Sequence, residues 1–186
     1  MPGRPFGISV VVPTFNRSEV RRAIESVASK KPGDVEILVI DDGSAVDLRT
    51  RLPQYNSHSI RVRAYRLERN RGPQAARNLG IRRARFQYVA FLDSDDEFHR
   101  DKVDRLLEHL GNGDIDVLYH AAEGLEKYNM LGRIWCASLR RLVPFQWWAA
   151  VFNPVGTPTL VVRRRIRLGP PRLRHCEDYC FLLRYC

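Results

Sequence analysis

The sequence predicts an α/β fold with a mostly parallel central sheet and helices on both faces. Apolar runs of strand length alternate along the chain with amphipathic stretches of helix length, a pattern typical of βαβ units. Two of these runs, ISVVV at 8–12 and VEILVI at 35–40, are almost continuously apolar, as expected for strands buried on both faces. The 186 residues are enough for one domain that buries roughly 70% of its unfolded surface.

The first helix is predicted between the strands at 8–12 and 35–40. Ser18 is a favourable N-cap residue, and Lys-Pro-Gly at 31–33 is expected to end the helix. The apolar residues between them recur at the spacing of one buried helix face: Val20, Ala23, Ile24, Val27 and Ala28.

Further strands and helices alternate up to about residue 121. RVRAYRL at 61–67 alternates in polarity and is expected near the sheet edge, and Pro73 suits the first turn of the helix that follows. YVAFLD at 88–93 and IDVLYHA at 115–121 are the next predicted strands. Between them a helix that ends at Gly111 has an apolar stripe: Val103, Leu106, Leu107 and Leu110.

From about residue 123 the pattern is less regular. The strand-like TLVVRR at 159–164 and a last helix, EDYCFLLRYC at 177–186, are expected to pack on the same sheet. No low-complexity linker divides the chain, so the sequence predicts a single domain over 1–186.

Composition limits the partners and the location. The formal net charge of +10 favours partners that carry phosphate, a description that fits nucleic acid, anionic lipid and nucleotides equally. Residues 61–85 contain nine arginines, which favours a solvated basic face, with an anionic-membrane contact as the alternative. The chain has no apolar signal core and no run of about 18 apolar residues, so a cytoplasmic protein is expected.

The four cysteines form no C-x-x-C pair, and reduced thiols are favoured over a zinc site. They are Cys136, Cys176, Cys180 and Cys186.

Each of the first four predicted strands is followed by a polar cluster. These clusters are PTFNR at 13–17, DDGS at 41–44, RNRG at 69–72 and DSDD at 93–96. Each alone is also a good turn or helix-start sequence, and Glu97 is interpreted as a helix-start residue. Because ligands of open parallel sheets bind outside the carboxyl ends of the strands, four clusters at one edge predict a binding site there.

The DSDD cluster suggests a cation site. Asp93 and Asp95 are two residues apart in a predicted turn, so both carboxylates can face one hard cation such as Mg²⁺ or Mn²⁺. A helix-loop-helix calcium site is excluded, because its required glycine and its final glutamate would fall on Phe98 and Asp104.

With these clusters in this order, the chain resembles the family 2 glycosyltransferases, which have a GT-A fold. The matching stretches are ISVVVPTFNR, EILVIDDGS, ERNRGPQAARNLGI and YVAFLDSDDEF, with a looser match in GTPTLVVRR and CEDYCFLLR. The resemblance implies an enzyme that uses a nucleotide-sugar donor and a divalent cation, and that transfers the sugar with inversion to an acceptor hydroxyl. It also implies a nucleotide-binding half at 7–120 and a short or truncated acceptor-side half at 121–186.

The resemblance also implies roles for individual residues of the site. Pro13 and Thr14 are expected beside the nucleoside, and Asp41 or Asp42 is expected to accept a hydrogen bond from the base, with uracil favoured. Arg71 is expected beside the base or the diphosphate.

The metal and the chemistry are assigned in the same way. Asp95 is the preferred direct ligand of Mg²⁺ or Mn²⁺, and Asp93 is expected to reach the ribose or a metal-bound water. In the ED stretch, Asp178 is the implied general base for the acceptor, with Glu177 as the fallback.

The expected reaction is transfer from a UDP-sugar to a carbohydrate or lipid-linked acceptor, in polysaccharide or glycoconjugate synthesis. Two other classes of function are its alternatives. A nucleotidyltransferase can also use carboxylates and a metal at a sheet edge, but PTFNR lacks the glycine that usually follows the first strand there. A basic nucleic-acid-binding domain lacks a recognised module, so no nucleic-acid partner is expected. The sequence is compatible with peripheral contact with the cytoplasmic membrane and with homo-oligomerisation.

Overall fold

Six strands form one mixed sheet. A computed structural model describes residues 5–48, 60–111, 115, 117–119 and 159–164 of the chain. Its strands are β1 (Ile8–Thr14), β2 (Val35–Asp41), β3 (Arg61–Arg66), β4 (Tyr88–Phe91), β5 (Val117–Tyr119) and β6 (Leu160–Arg163). Its helices are α1 (Val20–Ser26), α2 (Pro73–Arg83) and α3 (Lys102–Gly111), with a 3₁₀ turn at Pro32–Asp34.

The strand order is β3-β2-β1-β4-β6-β5. The first four strands in this order are parallel, whereas β6 runs antiparallel to β4 and β5 antiparallel to β6. The predicted mostly parallel sheet is therefore confirmed. The strand at Arg61–Arg66 is the last strand of the described sheet on its side, as its alternating pattern indicated.

Helices cover both faces of the sheet. Val10 and Val12 of β1 belong to the apolar cluster that includes α1 and α3, while Val11 belongs to the opposite cluster with α2. The predicted stripe of α3 lies in the first cluster and is buried: Val103, Leu106, Leu107 and Leu110. This two-sided packing explains why the central strands are continuously apolar.

Helix α1 is shorter than predicted at both ends. The N-cap residue is Glu19, whose carbonyl accepts from the Arg22 and Ala23 N–H groups, and Ser18 makes no capping bond. The Ser18 hydroxyl instead lies 3.2 Å from a Glu19 carboxylate oxygen. The helix ends at Ser26 because Val27 has an extended backbone, although its side chain stays in the core. The predicted N-cap and the predicted end at 31–33 are therefore both wrong.

The acidic cluster after β4 does not start a helix. Helix α3 begins at Lys102, and a turn follows β4 in which the Asp96 N–H donates to the Asp93 carbonyl at 3.1 Å. The Glu97 carboxylate forms an ion pair with Arg22 of α1. The interpretation of Glu97 as a helix-start residue is therefore wrong.

Several predicted features lie outside the described residues: the last helix at 177–186 and the four cysteines. Among the described helices, none combines the length and the apolar character needed to cross a bilayer.

Helix α2 packs directly on β1 through Gly80. A Cβ atom on Gly80 would lie 2.4 Å from Cγ1 and 2.6 Å from Cγ2 of Val11, which is completely buried. The absence of a side chain at Gly80 therefore lets the helix approach the strand.

Gly80→Ala is expected to lower the free energy of unfolding by about 1–2 kcal/mol. Overpacking against Val11 costs about 1–3 kcal/mol, and the gain of about 1 kcal/mol in helix propensity offsets only part of it. Urea denaturation measures the change. Gly33→Ala is the control, because a Cβ there meets no atom within 4 Å. Equal stability of the Gly80→Ala variant and the wild type would show that the helix can shift without cost.

Candidate functional site

A cavity of about 330 Å³ opens at the carboxyl ends of the parallel strands. This volume is at the lower end of the range for small-molecule sites, roughly 300–1,000 Å³. Five of the residues predicted from the sequence line the cavity: Pro13, Thr14, Asp42, Asp93 and Asp95. Asp41 and Arg71, which were also predicted, are not among its lining residues.

The loop after β1 is bonded to the loop after β2. Asn16 has a left-handed backbone with φ of 51°, a conformation that asparagine adopts more readily than most residues. Its N–H donates to the Ser44 hydroxyl at 2.9 Å, and its side-chain oxygen accepts from the Ala45 N–H at 2.8 Å. The Asp42 N–H donates to the Thr14 carbonyl at 2.8 Å. PTFNR and DDGS therefore form one wall.

The loop after β2 is bonded in turn to the loop after β3 through Asp42. One oxygen of its carboxylate accepts from the Arg71 N–H at 2.9 Å, and the other accepts from the Gly72 N–H at 2.8 Å. Burial raises the pKa of Asp42, and these two hydrogen bonds oppose the rise. At Gly43, with φ of 78°, a Cβ would lie 2.7 Å from the Arg69 carbonyl carbon, so only glycine allows this close approach.

Asp41, the last residue of β2, is buried and does not line the cavity. One oxygen of its carboxylate accepts from the Ser44 N–H at 2.8 Å, and the other is 3.8 Å from Nε of Arg66. Arg66 also donates to the Ser44 carbonyl at 2.6 Å. Asp41 therefore stabilises the loop conformation. Of the two aspartates expected to accept a hydrogen bond from the nucleotide base, only Asp42 lines the cavity.

Arg77 is a site residue that the sequence reasoning missed. It comes from α2, is 5% exposed and donates from Nη2 to Oδ1 of Asp93 at 2.8 Å. Both side chains line the cavity. The available signal was the position of Arg77, one helical turn after Pro73 at the helix end nearest the predicted site. This bond links the segment after β3 to the acidic turn after β4.

Three carboxylates lie close together in the acidic turn, those of Asp93, Asp95 and Asp96. Partial burial and the charges of Asp93 and Asp95 raise the pKa of Asp96. Nearby, burial lowers the pKa of Lys102 to about 7, and Asp96 opposes this shift. Such a turn attracts a cation.

The carboxylates suit a cation that is only partly coordinated by protein. In the described segments, no three His, Cys, Asp or Glu side chains converge as a complete metal cage. Mg²⁺ usually binds through one or two carboxylates, with substrate phosphates and water as its other ligands. Asp93 already accepts from Arg77, while Asp95 is 53% exposed and makes one long ion pair with Arg17, at 3.6 Å. The residues present therefore fit such a cation, with Asp95 the more accessible ligand.

Two further wall residues point to an organic ligand. Oγ1 of Thr14 is buried and has no hydrogen-bond partner within the described part of the chain. A buried hydroxyl without a partner is unusual, and Thr14 lines the cavity. Phe15 also lines the cavity and is 42% exposed, which leaves an aromatic face available for stacking. Phe15 was not singled out from the sequence.

The residues predicted to act on the acceptor, Glu177 and Asp178, lie outside the described residues. The structure therefore describes only residues predicted for the donor side, and the roles of these residues and of the general base stay predictions.

The family model described as Glycosyl transferase family 2 matches residues 9–167 of the chain. The chain belongs to this family. The matched stretch includes all four polar clusters and ends before Glu177 and Asp178. The resemblance drawn from the motifs is thereby confirmed.

Two curated relatives illustrate the match. An uncharacterized family relative, glycosyltransferase RC0461 of Rickettsia conorii, is 38% identical over 179 residues, which cover 93% of this chain and 29% of the relative. The putative teichuronic acid biosynthesis glycosyltransferase TuaG of Bacillus subtilis is 36% identical over 104 residues, which cover 55% of this chain and 41% of TuaG. The family 2 chain described here thus spans less than half the length of either relative.

A solved structure shows the same fold. S. aureus TarS 1-349 in complex with UDP-GlcNAc matches with a TM-score of 0.66 and 22% identity, over 95% of this chain and 52% of that chain. At this identity the likeness concerns the fold alone, and it confirms the predicted GT-A fold of this family 2 member.

Proposed function

We propose that this family 2 chain transfers a sugar from a UDP-sugar to an acceptor hydroxyl, with inversion at the anomeric carbon and with Mg²⁺ or Mn²⁺ as cofactor. One observation carries the proposal: Asp42 of the loop after β2 and the pair Asp93 and Asp95 of the turn after β4 line the same cavity. A nucleoside diphosphate has a base that can hydrogen-bond to a carboxylate such as Asp42. It also has phosphates that can share a cation with Asp93 and Asp95.

The residues around the β1 and β2 loops are proposed to bind the nucleoside. Asp42 uses one lone pair on each oxygen for the β3–α2 loop, which leaves further lone pairs for a base N–H. Phe15 is proposed to stack on the base, and the unpartnered Thr14 hydroxyl to bond the base or the ribose. Pro13 borders the same wall. Uracil is favoured, as the family resemblance implies, and the TarS structure with the same fold is a complex with UDP-GlcNAc.

The residues of the α2 start and the acidic turn are proposed to bind the diphosphate. The first turn of α2 lines the cavity through Gly72 and Pro73, and helix N-termini favour anions. Arg77 holds Asp93 in place, so that Asp93 can reach the ribose or a metal-bound water while Asp95 coordinates the cation. The bound cation would offset the negative charge that develops on the leaving diphosphate.

The acceptor side is proposed to lie in residues 121–186, with Asp178 taking the proton from the acceptor hydroxyl and Glu177 as the fallback. The proposed acceptor is a carbohydrate or a lipid-linked glycan in polysaccharide synthesis, because TuaG is named for teichuronic acid biosynthesis. Nucleotidyl transfer and nucleic-acid binding are the disfavoured alternatives.

Thermal shift with UDP, GDP, dTDP and ADP, each with and without Mn²⁺, tests the donor proposal. A ligand at 100 times its Kd stabilises the folded state by about 2.7 kcal/mol, so UDP with Mn²⁺ is expected to raise Tm by several degrees. Asp95→Asn is expected to lose the Mn²⁺-dependent part of this shift.

The matched control is Asp101→Asn, because Asp101 is an exposed aspartate just before α3 that forms an ion pair with Arg105. Equal responses to all four nucleotides, or salt-sensitive binding of DNA or RNA without a nucleotide response, would contradict the proposal.

A further inference from the structure

Arg17 contacts the carboxylate that is proposed to bind the cation. Its Nη2 lies 3.6 Å from Oδ2 of Asp95, and both residues line the cavity. The two side chains are 52% and 53% exposed, so water screens the pair. Such exposed pairs contribute little, with measured values of roughly 0–1 kcal/mol. The contact between Arg17 and Asp95 is therefore easily exchanged for another.

The second arginine of the cavity behaves differently. Arg77 is 5% exposed and donates to Asp93 at 2.8 Å, so leaving that partner would strand a buried charge. Arg17 follows directly after Asn16, whose backbone and side chain are bonded to the β2 loop. The backbone of Arg17 is therefore held at the cavity, while its guanidinium group remains in contact with solvent.

A divalent cation and the Arg17 guanidinium compete for Asp95. A cation that coordinates Asp95 repels the guanidinium, which is then available to another anionic partner. Within the same cavity, a diphosphate is such a partner, and guanidinium groups form paired, charge-assisted hydrogen bonds with phosphate oxygens.

We propose that Arg17 changes partner during donor binding: it neutralises Asp95 before the cation arrives and binds the diphosphate of the donor once the cation holds Asp95. This inference rests on the proposed function of the site. Its consequence is a coupling between the two ligands. Each ligand removes an obstacle to the other, and the coupling is reciprocal by thermodynamic linkage.

Titration calorimetry of Mn²⁺ with and without UDP, on the wild type and on Arg17→Gln, tests the exchange without any need for turnover. Arg17→Gln is expected to bind Mn²⁺ alone about two- to five-fold more tightly, because the competing guanidinium is gone. In the presence of Mn²⁺ it is expected to bind UDP about ten-fold more weakly, because a charge-assisted bond to phosphate is lost. The factor by which UDP tightens Mn²⁺ binding therefore falls.

The control is Arg21→Gln, because Arg21 is an exposed arginine of α1 that pairs with Glu25 at 2.7 Å and does not line the cavity. It is expected to keep wild-type values. If Arg17→Gln binds Mn²⁺ no more tightly than the wild type, or keeps the wild-type coupling, the partner exchange is wrong while the donor proposal stands. If the wild type itself binds no UDP with Mn²⁺, both are wrong.

Discussion

Glu36→Ala is expected to lower the free energy of unfolding by about 3 kcal/mol, more than any other single change to a carboxylate of the described sheet. Breaking a buried ion pair by removing one partner costs about 3–5 kcal/mol. The lower end applies here because Arg63, the partner of Glu36, is 34% exposed, although Glu36 itself is 2% exposed.

The large effect is expected because the Glu36 carboxylate accepts from three different groups. The Ser9 hydroxyl of β1 and the Arg85 N–H both donate to the same oxygen of Glu36 at 2.6 Å, and Arg63 of β3 pairs with the other oxygen. Alanine would leave the buried Ser9 hydroxyl without this acceptor, which costs more than the bond itself contributes, and would also remove the acceptor of the partly buried Arg85 N–H and Arg63 groups. Glu36 thus joins β1, β2, β3 and the segment after α2.

Guanidinium denaturation monitored by circular dichroism measures the change. Glu25→Ala is the matched control, since Glu25 forms an exposed i,i+4 pair with Arg21 and such pairs contribute about 0.3–0.5 kcal/mol. If the two variants lose the same small amount of stability, the carboxylate of Glu36 contributes no more than a surface pair.

Asp178→Asn is expected to reduce sugar transfer by a factor of about 10² to 10⁴ while donor binding is retained. A general base in reach of the reacting proton contributes a factor of this size, and an amide cannot take up the proton. UDP binding should persist, because the donor site is proposed to lie at the Asp42 and Asp95 ends of the cavity.

Single-turnover transfer assays and UDP titration on the same protein preparations separate chemistry from binding. Glu177→Gln provides the matched comparison one residue away, and it is expected to retain much more activity than Asp178→Asn. The reverse order would make Glu177 the base, and loss of UDP binding in Asp178→Asn would show a structural role instead.

Much of the fold could be predicted from periodicity because the packing of each element is visible in its own residues. The continuous apolar character of the strand that ends at Asp41 indicated burial on two faces, and the alternation in 61–67 indicated a position at the sheet edge. Helix ends were less predictable. Ser18 has a favourable residue type for an N-cap, but its hydroxyl lies against the neighbouring Glu19 carboxylate and the helix begins one residue later.

The site was predictable at the level of loops and less so at the level of side chains. The chain order of the polar clusters and the rule for parallel sheets place them at one edge. The different positions of Asp41 and Asp42 depend on residues that are about 25 to 30 positions away. Asp41 contacts Arg66, whereas Asp42 accepts from the Arg71 and Gly72 N–H groups. Glu36 was counted within an apolar strand for the same reason, because its partner Arg63 lies 27 residues further along the chain.

The hydrogen bonds that join the four loops have a consequence for the thermodynamics of binding. Asn16, Ser44, Asp42 and Arg77 fix most of the cavity wall before any ligand enters. The conformational entropy of these loops is therefore lost when the chain folds, and a ligand does not have to order them again. Exposed side chains at the cavity, among them Phe15, Arg17 and Asp95, are the parts left to adjust. For the described part of the cavity, binding should thus resemble entry into a largely preformed site in which a few exposed side chains adjust.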